Sequence, residues 1–425
     1  MEKLQAVRGM NDILPTDSAK WEFFEETVTR VARQYGYRNM RAPIVEYTPL
    51  FVRSIGEVTD IVEKEMYSFE DKLNGEKLTL RPELTAGLVR AAVEANLTYN
   101  GPVRVYTLGQ VFRHERPQKG RYRQFNQFDV ECFGFDGPDV DAEIMIMTAR
   151  IWRELGINDV RLEINSLGGV DERAAYRSKL IAHYEANLPA LDDEAKKRLH
   201  SNPMRILDSK VASVIEVNKS APVLLDSLQN ESRAHFEGLQ QLLTEANVQF
   251  VVNPRIVRGM DYYNRTAFEF VTDRFGSPLT VCGGGRYDGL FEQLGGKATP
   301  AIGFGMGVER VLMMLGDSTP VTTLDAYIVH AGVAAQKAAS ALAETLRDAG
   351  LAVAQHGGSL GGMGSFKSQM KKADASGARF ALVIGDNEAA TGTVAVKPLR
   401  DVHGAAIQGE QAIIAGSAVT AHLRA

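Results

Sequence analysis

The sequence has few cysteines and no long apolar segment. Its 425 residues include only two cysteines, Cys132 and Cys282, which excludes a disulfide framework and offers no zinc-binding spacing. Both lie in apolar, strand-like surroundings, where a small buried thiol is typical. The N-terminal residues MEKLQAVRGMNDILP lack the apolar core of a signal peptide, and no apolar run approaches the length of a membrane span. We therefore expect a cytoplasmic protein that does not enter a membrane.

Positive charge is in slight deficit, with 48 Lys and Arg against 53 Asp and Glu. Five basic residues nevertheless fall in one stretch, FRHERPQKGRYRQF from Phe112 to Phe125, where Glu115 is the only acid. A positive loop on an acidic protein is typical of a place that binds polyphosphate or nucleic acid. The alternative is a solvated hairpin with an ordinary charged tip.

Two strand-like segments, 103–112 and 124–133, flank the basic stretch and predict an antiparallel pair with a long loop. Side chains alternate between the two faces of a strand, so the second segment has a polar face and a mostly apolar face. The polar face, beside the cationic loop, consists of Phe125, Gln127, Asp129 and Glu131. The apolar face, which can pack on a core, consists of Asn126, Phe128, Val130 and Cys132.

The rest of the chain divides by pattern into regions. Apolar residues at helical spacing predict a helix over 16–35, capped by Thr16, Asp17 or Ser18. A helix around 141–155 and a strand at 161–167 follow. Residues 171–246 are charged, polar and helical in pattern, which indicates a helical insertion, and the β pattern resumes with FVVNPRIV and TAFEFV.

The last block of the chain alternates strand-like and helix-like segments, which predicts a small parallel or mixed sheet flanked by helices. Gly350 and Gly377 are placed to end two of those helices. The segment VTTLD, at 321–325, is a plausible domain boundary. With 425 residues and ordinary composition (44% hydrophobic, 24% charged), the chain is long enough for two or three domains.

Four segments together resemble the histidyl-tRNA synthetase family of class II aminoacyl-tRNA synthetases. The basic hairpin resembles motif 2, GFGMGVERVLMML (303–315) resembles motif 3, APIVEYTPLF (42–51) resembles motif 1, and RGMDYY (258–263) resembles a histidine-binding signature. The resemblance covers essentially the full chain. It implies an α+β catalytic domain on an antiparallel sheet at 1–320, with the helical insertion at about 171–246, and a C-terminal α/β anticodon-binding domain at 325–425.

The activity implied by the resemblance is histidine–tRNA ligation in two steps. ATP and L-histidine form histidyl-adenylate and release pyrophosphate, and histidine then passes to the 3′ end of tRNA(His). ATP is the expected substrate, with Mg²⁺ accompanying it and no metal ligands assigned in the protein. Motif 1 implies a homodimer. The alternative is a synthetase-like regulatory subunit of histidine biosynthesis without aminoacylation activity.

The resemblance also implies roles for individual residues. Arg113 and Arg258 are the expected catalytic residues near the substrate carboxylate and the α-phosphate. Isolated arginines are often structural ion-pair partners, and core packing is the alternative for Phe125 and for the adjacent Tyr262 and Tyr263, which would face opposite sides of a strand. The expected histidine site comprises Glu83, Thr85, Arg113, Gln127, Glu131, Arg258, Tyr262 and Tyr263, and the expected ATP site comprises Arg113, Glu115, Arg121, Phe125 and Arg310.

Recognition of the tRNA acceptor end is assigned by resemblance to Arg116 and Gln118, in the loop of motif 2. The glycines at 303 and 305 are expected to leave room for ATP. Leu84 stands where the family usually has a small residue. It either crowds the amino-acid pocket or points away from it.

Overall fold

The structure is a computed structural model that describes residues 3–57, 59–316, 324–358, 362–401, 404–407 and 409–424. Two units separate between Ser318 and Thr319. The predicted boundary at 321–325 lies mostly outside the described residues, so the domain limits stay a prediction.

The strands of the first unit form one large sheet and one small sheet. Their bounds are β1 (Arg38–Asn39), β2 (Val45–Tyr47), β3 (Tyr67–Glu70), β4 (Lys77–Leu80), β5 (Val103–Phe112), β6 (Gln124–Phe133), β7 (Arg161–Ser166), β8 (Phe250–Val252), β9 (Asn264–Thr272), β10 (Leu279–Arg286) and β11 (Ala301–Gly307). The large sheet has the order β1-β5-β6-β11-β10-β9-β7-β8, and the small sheet has the order β2-β4-β3.

The helices of the first unit pack around its two sheets or form the insertion. Their bounds are α1 (Pro15–Gln34), α2 (Thr48–Ile55), α3 (Thr85–Glu94), α4 (Pro138–Glu154), α5 (Val170–Ala186), α6 (Asp193–Ser201), α7 (Ala212–Lys219), α8 (Asn230–Glu245), α9 (Leu290–Gln293) and α10 (Val308–Leu315). A π-helical turn covers Ile61–Glu65 and a 3-10 segment covers Pro203–Asp208.

The large sheet is antiparallel except at its two edges, where β1 pairs with β5 and β8 pairs with β7 in parallel. This confirms the predicted antiparallel catalytic sheet. The predicted hairpin supplies the second and third strands of this sheet, and β5 and β6 pair over all ten residues from Val103↔Phe133 to Phe112↔Gln124. Phe128, Val130 and Cys132 are fully buried in the main core, as the alternation predicted. Burial of such side chains contributes about 1.5–3 kcal/mol for each large apolar residue.

The predicted starts of two helices were wrong. Helix α1 begins at Pro15, and none of the predicted capping side chains caps it. Proline suits the first helical position because it has no N–H that needs an acceptor there. Helix α4 begins at Pro138 rather than near 141, since Asp141 is fully buried and pairs with Arg286 instead of marking a helix end.

The insertion is helical, as predicted, and has a core of its own. Residues from α5, α6, α7 and the 3-10 segment Pro203–Asp208 contribute to this core, among them Tyr176, Leu180, Tyr184 and Leu199. The strand predicted after it is shorter than expected, since only Phe250–Val252 pairs with β7.

The second unit is the predicted alternation of strands and helices. Its elements are β12 (Ala326–His330), α11 (Val333–Asp348), β13 (Val353–Gln355), α12 (Phe366–Ala375), β14 (Phe380–Ile384), α13 (Asp386–Thr391), β15 (Thr393–Pro398), β16 (Ala412–Ala415) and α14 (Val419–Arg424). The sheet is mixed: β13, β12 and β14 run parallel, and β15 and β16 are antiparallel. Gly350 and Gly377 follow α11 and α12 with φ of 81° and 79°, a conformation that suits glycine at helix ends.

Among the residues that the structure describes, none of the helices is both long enough and apolar enough to cross a membrane.

Candidate active site

A cavity of about 290 Å³ opens in the first unit over β6, β10 and β11. Residues far apart in the chain form its walls: the loop after β5, the start of α3, the segment 257–263 and the start of α10. Of the predicted site residues, the lining includes Glu83, Thr85, Arg113, Glu115, Arg121, Phe125, Gln127, Arg258, Tyr262, Tyr263 and Arg310. Glu131, Arg116 and Gln118 are not part of that lining.

One side of the cavity is cationic. Arg310 is held by two backbone carbonyls, since its Nε donates to Gly120 O (3.1 Å) and its Nη1 donates to Thr280 O (2.7 Å). Burial, together with the like charges of Arg121 and Arg113, lowers the pKa of Arg310. Guanidinium groups brought this close together indicate a binding place for a polyanion, and Glu115 and Glu309 offset only part of their charge.

Phe125 lies beside this cationic side with its ring exposed to the cavity. The guanidinium carbon of Arg113 is 5.4 Å from the ring centroid, and Arg113 Nε donates to Pro82 O at 2.9 Å. Glu115 pairs with Arg121 at 3.2 Å. Phe125 is therefore not a core residue, and its ring is available to stack on a flat ligand.

Arg258 is placed by an ion pair that the sequence did not reveal. Its Nη1 donates to Glu269 Oε1 at 2.6 Å, and Glu269 Oε2 accepts from Thr280 Oγ1 at 2.8 Å. The guanidinium also lies over the ring of Tyr263, 5.1 Å from the centroid. Gly283 leaves space for it, because a Cβ there would lie 2.8 Å from Arg258 Nη1.

The segment RGMDYY is not a strand, so the predicted opposite orientation of its two tyrosines was wrong. Tyr262 and Tyr263 are both buried at 6% exposure, and their ring centroids are 4.6 Å apart. Both side chains line the cavity. The turn lets two neighbouring residues contribute to one wall, which a strand does not allow.

The opposite side of the cavity is acidic. Glu83 is buried and accepts from the backbone N–H groups of Thr85 and Ala86, both at 2.8 Å, at the start of α3. Burial nevertheless raises the pKa of Glu83. Its position at a helix N-terminus favours the charged form and fixes the carboxylate.

Glu131 lies just behind the lining and is fully buried. Its Oε1 accepts from Thr85 Oγ1 at 2.6 Å, and its Oε2 accepts from the hydroxyl of Tyr287. Burial raises the pKa of Glu131 to about 8, although these two donors oppose the shift. The carboxyl group is therefore held in one orientation and is easily protonated near neutral pH.

Gly303 has a different neighbour from the one expected. It pairs with Glu131 across β6 and β11, and a Cβ at Gly303 would lie 2.6 Å from Glu131 Cδ. The missing side chain therefore leaves room for the carboxyl group of Glu131. Gly305, two residues on, does line the cavity.

A buried ionic network fixes the backbone next to Tyr287, whose hydroxyl donates to Glu131. Asp141 accepts from Arg286 Nη2 at 2.7 Å, a pair in which both side chains are fully buried, and Asp141 Oδ2 lies 2.8 Å from Nε2 of the buried His235. Arg286 also donates to Phe135 O and Gly137 O. Tyr287 follows Arg286 directly, so the network fixes the backbone from which the Tyr287 hydroxyl reaches Glu131.

Sequence reasoning missed several residues of the cavity. Asp129 was on the predicted polar face but received no role, and its position in the alternation was the available signal. Glu269, which lines the cavity, and Tyr287, which lies behind the lining against Glu131, received no role either. Arg205 and Asp208 come from the insertion and line the cavity, which only the tertiary fold reveals.

The remaining predicted positions lie apart from the lining. Arg116 borders a separate surface depression with His114, Pro117 and Arg123, and Gln118 forms a backbone bridge with Arg121. Leu84 is buried at 2% exposure and is absent from the cavity lining, so it points away from the pocket.

The antiparallel sheet with this cavity on it, and the separate α/β unit, are the architecture of a class II aminoacyl-tRNA synthetase. A sequence profile for histidyl-tRNA synthetase matches residues 9–311, and one for the anticodon binding domain matches residues 325–411. The chain belongs to the histidyl-tRNA synthetase family.

Comparisons with individual proteins agree with this assignment. The chain is 58% identical over 414 residues to a histidine–tRNA ligase of Paraburkholderia phytofirmans, covering 97% of this chain and 93% of that protein. The crystal structure of apo S. aureus histidyl-tRNA synthetase is 34% identical, with a TM-score of 0.80 and full coverage of both chains. The prediction of an ATP-dependent histidine–tRNA ligase is confirmed, and the regulatory-subunit alternative is not supported.

A Bacillus halodurans protein described as an ATP phosphoribosyltransferase regulatory subunit/histidyl-tRNA synthetase is also similar. It is 22% identical, with a TM-score of 0.65, and covers 91% of this chain. That likeness shows the shared fold alone.

Proposed function

We propose that the cavity joins L-histidine to ATP and then passes histidine to the tRNA 3′ end. The carboxylate of histidine attacks the α-phosphorus, and the bond to the leaving pyrophosphate breaks. A ribose hydroxyl of the terminal adenosine then attacks the carbonyl carbon of the adenylate, the bond from that carbon to the phosphate oxygen breaks, and AMP leaves as the hydroxyl loses its proton. The single observation that carries the proposal is the pairing of a cationic side with an acidic side in one cavity. Since the first step joins two anions, fixed cations and alignment supply the catalysis.

The ATP end lies at the cationic side. Arg310 and Arg121 bind the phosphates, and Phe125 stacks on the adenine, with Glu115 beside it. Arg113 lies between Phe125 and Pro82, where it can bridge the α-phosphate and the histidine carboxylate.

The histidine end lies at the acidic side. Arg258 binds at the carboxylate and α-phosphate, supported by its ion pair with Glu269. Tyr263 and Glu131 select the imidazole by hydrogen bonding. Tyr263 offers a hydroxyl, and Glu131 offers a carboxyl group that can be protonated or ionised. The remaining contacts of the amino acid are assigned to Glu83, Thr85, Gln127 and Tyr262. A pocket that hydrogen-bonds a polar side chain rejects analogues by about 10⁴–10⁵ without editing.

We expect Mg²⁺ to arrive with ATP, bound to phosphate oxygens. In the part of the chain that the structure describes, no group of three or more His, Cys, Asp or Glu residues is arranged to hold a metal ion. Arg258 supplies positive charge near the α-phosphate from the protein itself.

The tRNA contacts are divided between the two units. Arg116 and Gln118 are assigned to the acceptor end, and residues 325–425 are assigned to the anticodon, with 1–320 as the catalytic domain. A cytoplasmic location is expected of an enzyme that acts on tRNA.

A homodimer is proposed from the small sheet. Strand β2 belongs to motif 1 and exposes Tyr47 at 56%, while Phe69 on β3 is 46% exposed. Exposed aromatic side chains on one small sheet indicate an interface. Sedimentation of the wild-type chain should give a dimer, and Tyr47→Lys should shift it towards monomer. A wild-type monomer at working concentration would contradict the proposal.

The catalytic assignment is tested by pyrophosphate exchange with each of the twenty amino acids. Histidine alone should stimulate exchange, and Arg258→Ala should lose it while remaining folded. Arg161→Ala is the matched control, because Arg161 is an exposed ion-pair partner on the same sheet. Unchanged exchange in Arg258→Ala would remove Arg258 from its role, and no histidine-stimulated exchange in the wild type would refute the function.

A further inference from the structure

The turn that carries Arg258 is attached to the helical insertion at two places, and the first lies just before Arg258. Arg255 donates from Nη2 to Ala221 O at 3.0 Å and from Nη1 to Pro222 O at 3.3 Å. Val257 packs against the core of the insertion. The insertion therefore holds the chain up to the residue that precedes Arg258.

The second attachment lies just after Arg258. Asn202, which follows the last residue of helix α6, donates from Nδ2 to Asp261 Oδ1 at 3.1 Å. Arg173, on helix α5, donates from Nη1 to the backbone carbonyl of Tyr263. Arg258 therefore lies between two points that the insertion holds, although it lies outside the insertion in sequence.

The rest of the first unit holds the same turn from the side opposite to the insertion. Asn165, on β7, donates from Nδ2 to Ile256 O at 3.0 Å, and the backbone N–H of Asp261 donates to Ile55 O at 3.1 Å. A Cβ on Gly56 would collide with Asp261 Oδ2, so this oxygen lies against the end of α2. The carboxylate of Asp261 thus has one oxygen towards the insertion and the other towards α2.

The insertion is also attached to the segment that precedes the π-helical turn. Arg198 donates from Nη2 to both carboxylate oxygens of Asp60, at 3.0 and 3.3 Å. Asp60 directly precedes Ile61, which lines the cavity, and Arg205 of the insertion lines it too. A shift of the insertion would therefore move two segments of the cavity wall.

These contacts matter more for position than for stability. Residues 253–263 belong to no helix or strand, so the hydrogen bonds of regular secondary structure do not fix the turn. The contacts to the insertion fix it instead. Each adds little to the stability of the whole protein where its partners are exposed to water. A shift of about 1 Å in a positioned group, however, can lower a rate about 100-fold.

We propose that the insertion positions Arg258 for histidine activation, with Asn202 and Arg173 as positioning residues. This rests on the proposed function, in which Arg258 meets the histidine carboxylate and the α-phosphate. Asn202 and Arg173 lie outside the cavity lining, so they act through Asp261 and Tyr263 of the turn and not on a substrate. Movement of the insertion is therefore coupled to the rate of the first step.

Steady-state kinetics of Asn202→Ala separate positioning from stability. In histidine-dependent pyrophosphate exchange, kcat should fall about tenfold because Arg258 is no longer held in place. The KM for ATP should stay within about threefold, because Phe125 and Arg310 bind parts of ATP away from the turn. The midpoint of urea unfolding should stay close to that of the wild type, since the lost hydrogen bond is exposed. A shifted midpoint with wild-type kcat would show a merely structural role and overturn the proposal.

An exchange of the two polar groups provides a rescue. Asn202→Asp places a second carboxylate against Asp261 and should lower kcat about tenfold or more. The double variant Asn202→Asp with Asp261→Asn again has one donor and one acceptor, so kcat should return to within about threefold of the wild type. A double variant as slow as Asn202→Asp would contradict the assignment.

Asn187→Ala is the matched control. Asn187 also follows a helix of the insertion, but its Nδ2 donates to His183 O at 2.8 Å, within the insertion itself. Its kcat should equal that of the wild type.

Amide hydrogen–deuterium exchange gives a readout that needs no substrate. Peptides that cover 255–263 should exchange faster in Asn202→Ala than in the wild type, and at the wild-type rate in Asn187→Ala. Wild-type protection of these peptides in Asn202→Ala would overturn the proposal. Absence of histidine-stimulated pyrophosphate exchange in the wild type would instead refute the underlying function.

Discussion

Replacement of Gly303 by alanine should displace the carboxyl group of Glu131 from its position between Thr85 and Tyr287. The new Cβ would lie 2.6 Å from Glu131 Cδ and 2.5 Å from Val130 O, whereas carbon atoms normally approach to about 3.5–4.0 Å. If the strands move apart, overpacking costs about 1–3 kcal/mol. If Glu131 turns away instead, it loses its bonds from Thr85 and Tyr287, at about 0.5–1.5 kcal/mol each.

Both routes therefore predict a loss of about 1–3 kcal/mol in the free energy of unfolding, measured by urea denaturation. The effect on activity should be larger. A misplacement of about 1 Å in a positioned group can cost about 100-fold, so kcat/KM for histidine in pyrophosphate exchange should fall by that order, with the KM for ATP nearly unchanged.

The control is Gly289→Ala. Gly289 has φ of −85°, and its Cβ would meet no atom within 4 Å, so alanine should change stability by less than about 0.5 kcal/mol. Wild-type kcat/KM for histidine in Gly303→Ala would refute the reasoning, since the fixed position of Glu131 would then be irrelevant to substrate selection.

Three further perturbations test other parts of the site. Arg310→Gln should raise the KM for ATP about tenfold or more with little change for histidine, and equal changes in both would contradict its assignment to phosphate. Burial raises the pKa of Glu131 from 4.5 to about 8, so between these values the folded chain holds a proton that the unfolded chain has lost, and stability falls as pH rises. Glu131→Gln should flatten that fall by up to about 1.4 kcal/mol per pH unit in urea unfolding, and an unchanged slope would argue against a protonated Glu131. Asp141→Asn should cost about 3–5 kcal/mol because it leaves Arg286 buried without a full counter-charge, and a loss below about 1 kcal/mol would show the network to be dispensable.

The part of the site that the sequence predicts is the part set by local periodicity. Alternation along 124–133 correctly separated Phe128 and Val130, which are core residues, from Phe125 and Gln127, which line the cavity. A strand allows this because its side-chain period is fixed by the backbone and is not altered by distant neighbours.

The remaining parts depend on contacts between distant segments. Arg258 and Glu269 are eleven residues apart, and nothing in either local sequence marks them as partners. Arg205 reaches the cavity from the insertion, which has a separate core. The start of α4 depends on such a contact too, because Asp141 lies inside the first turns of this helix and pairs with the distant Arg286.

The two sides of the cavity are each destabilised when no ligand is present, and in opposite senses. The cations near Arg310 repel one another, and the carboxyl groups of Glu83, Asp129 and Glu131 all have raised pKa values. The phosphates of ATP would relieve the first strain, and an ammonium would relieve the second. ATP and histidine therefore reduce two different repulsions, one among the arginines and one among the carboxyl groups. Each ligand should stabilise the fold when it is added alone. On the proposed assignment, Arg113 lies between the two ligands and offsets the repulsion between the histidine carboxylate and the α-phosphate.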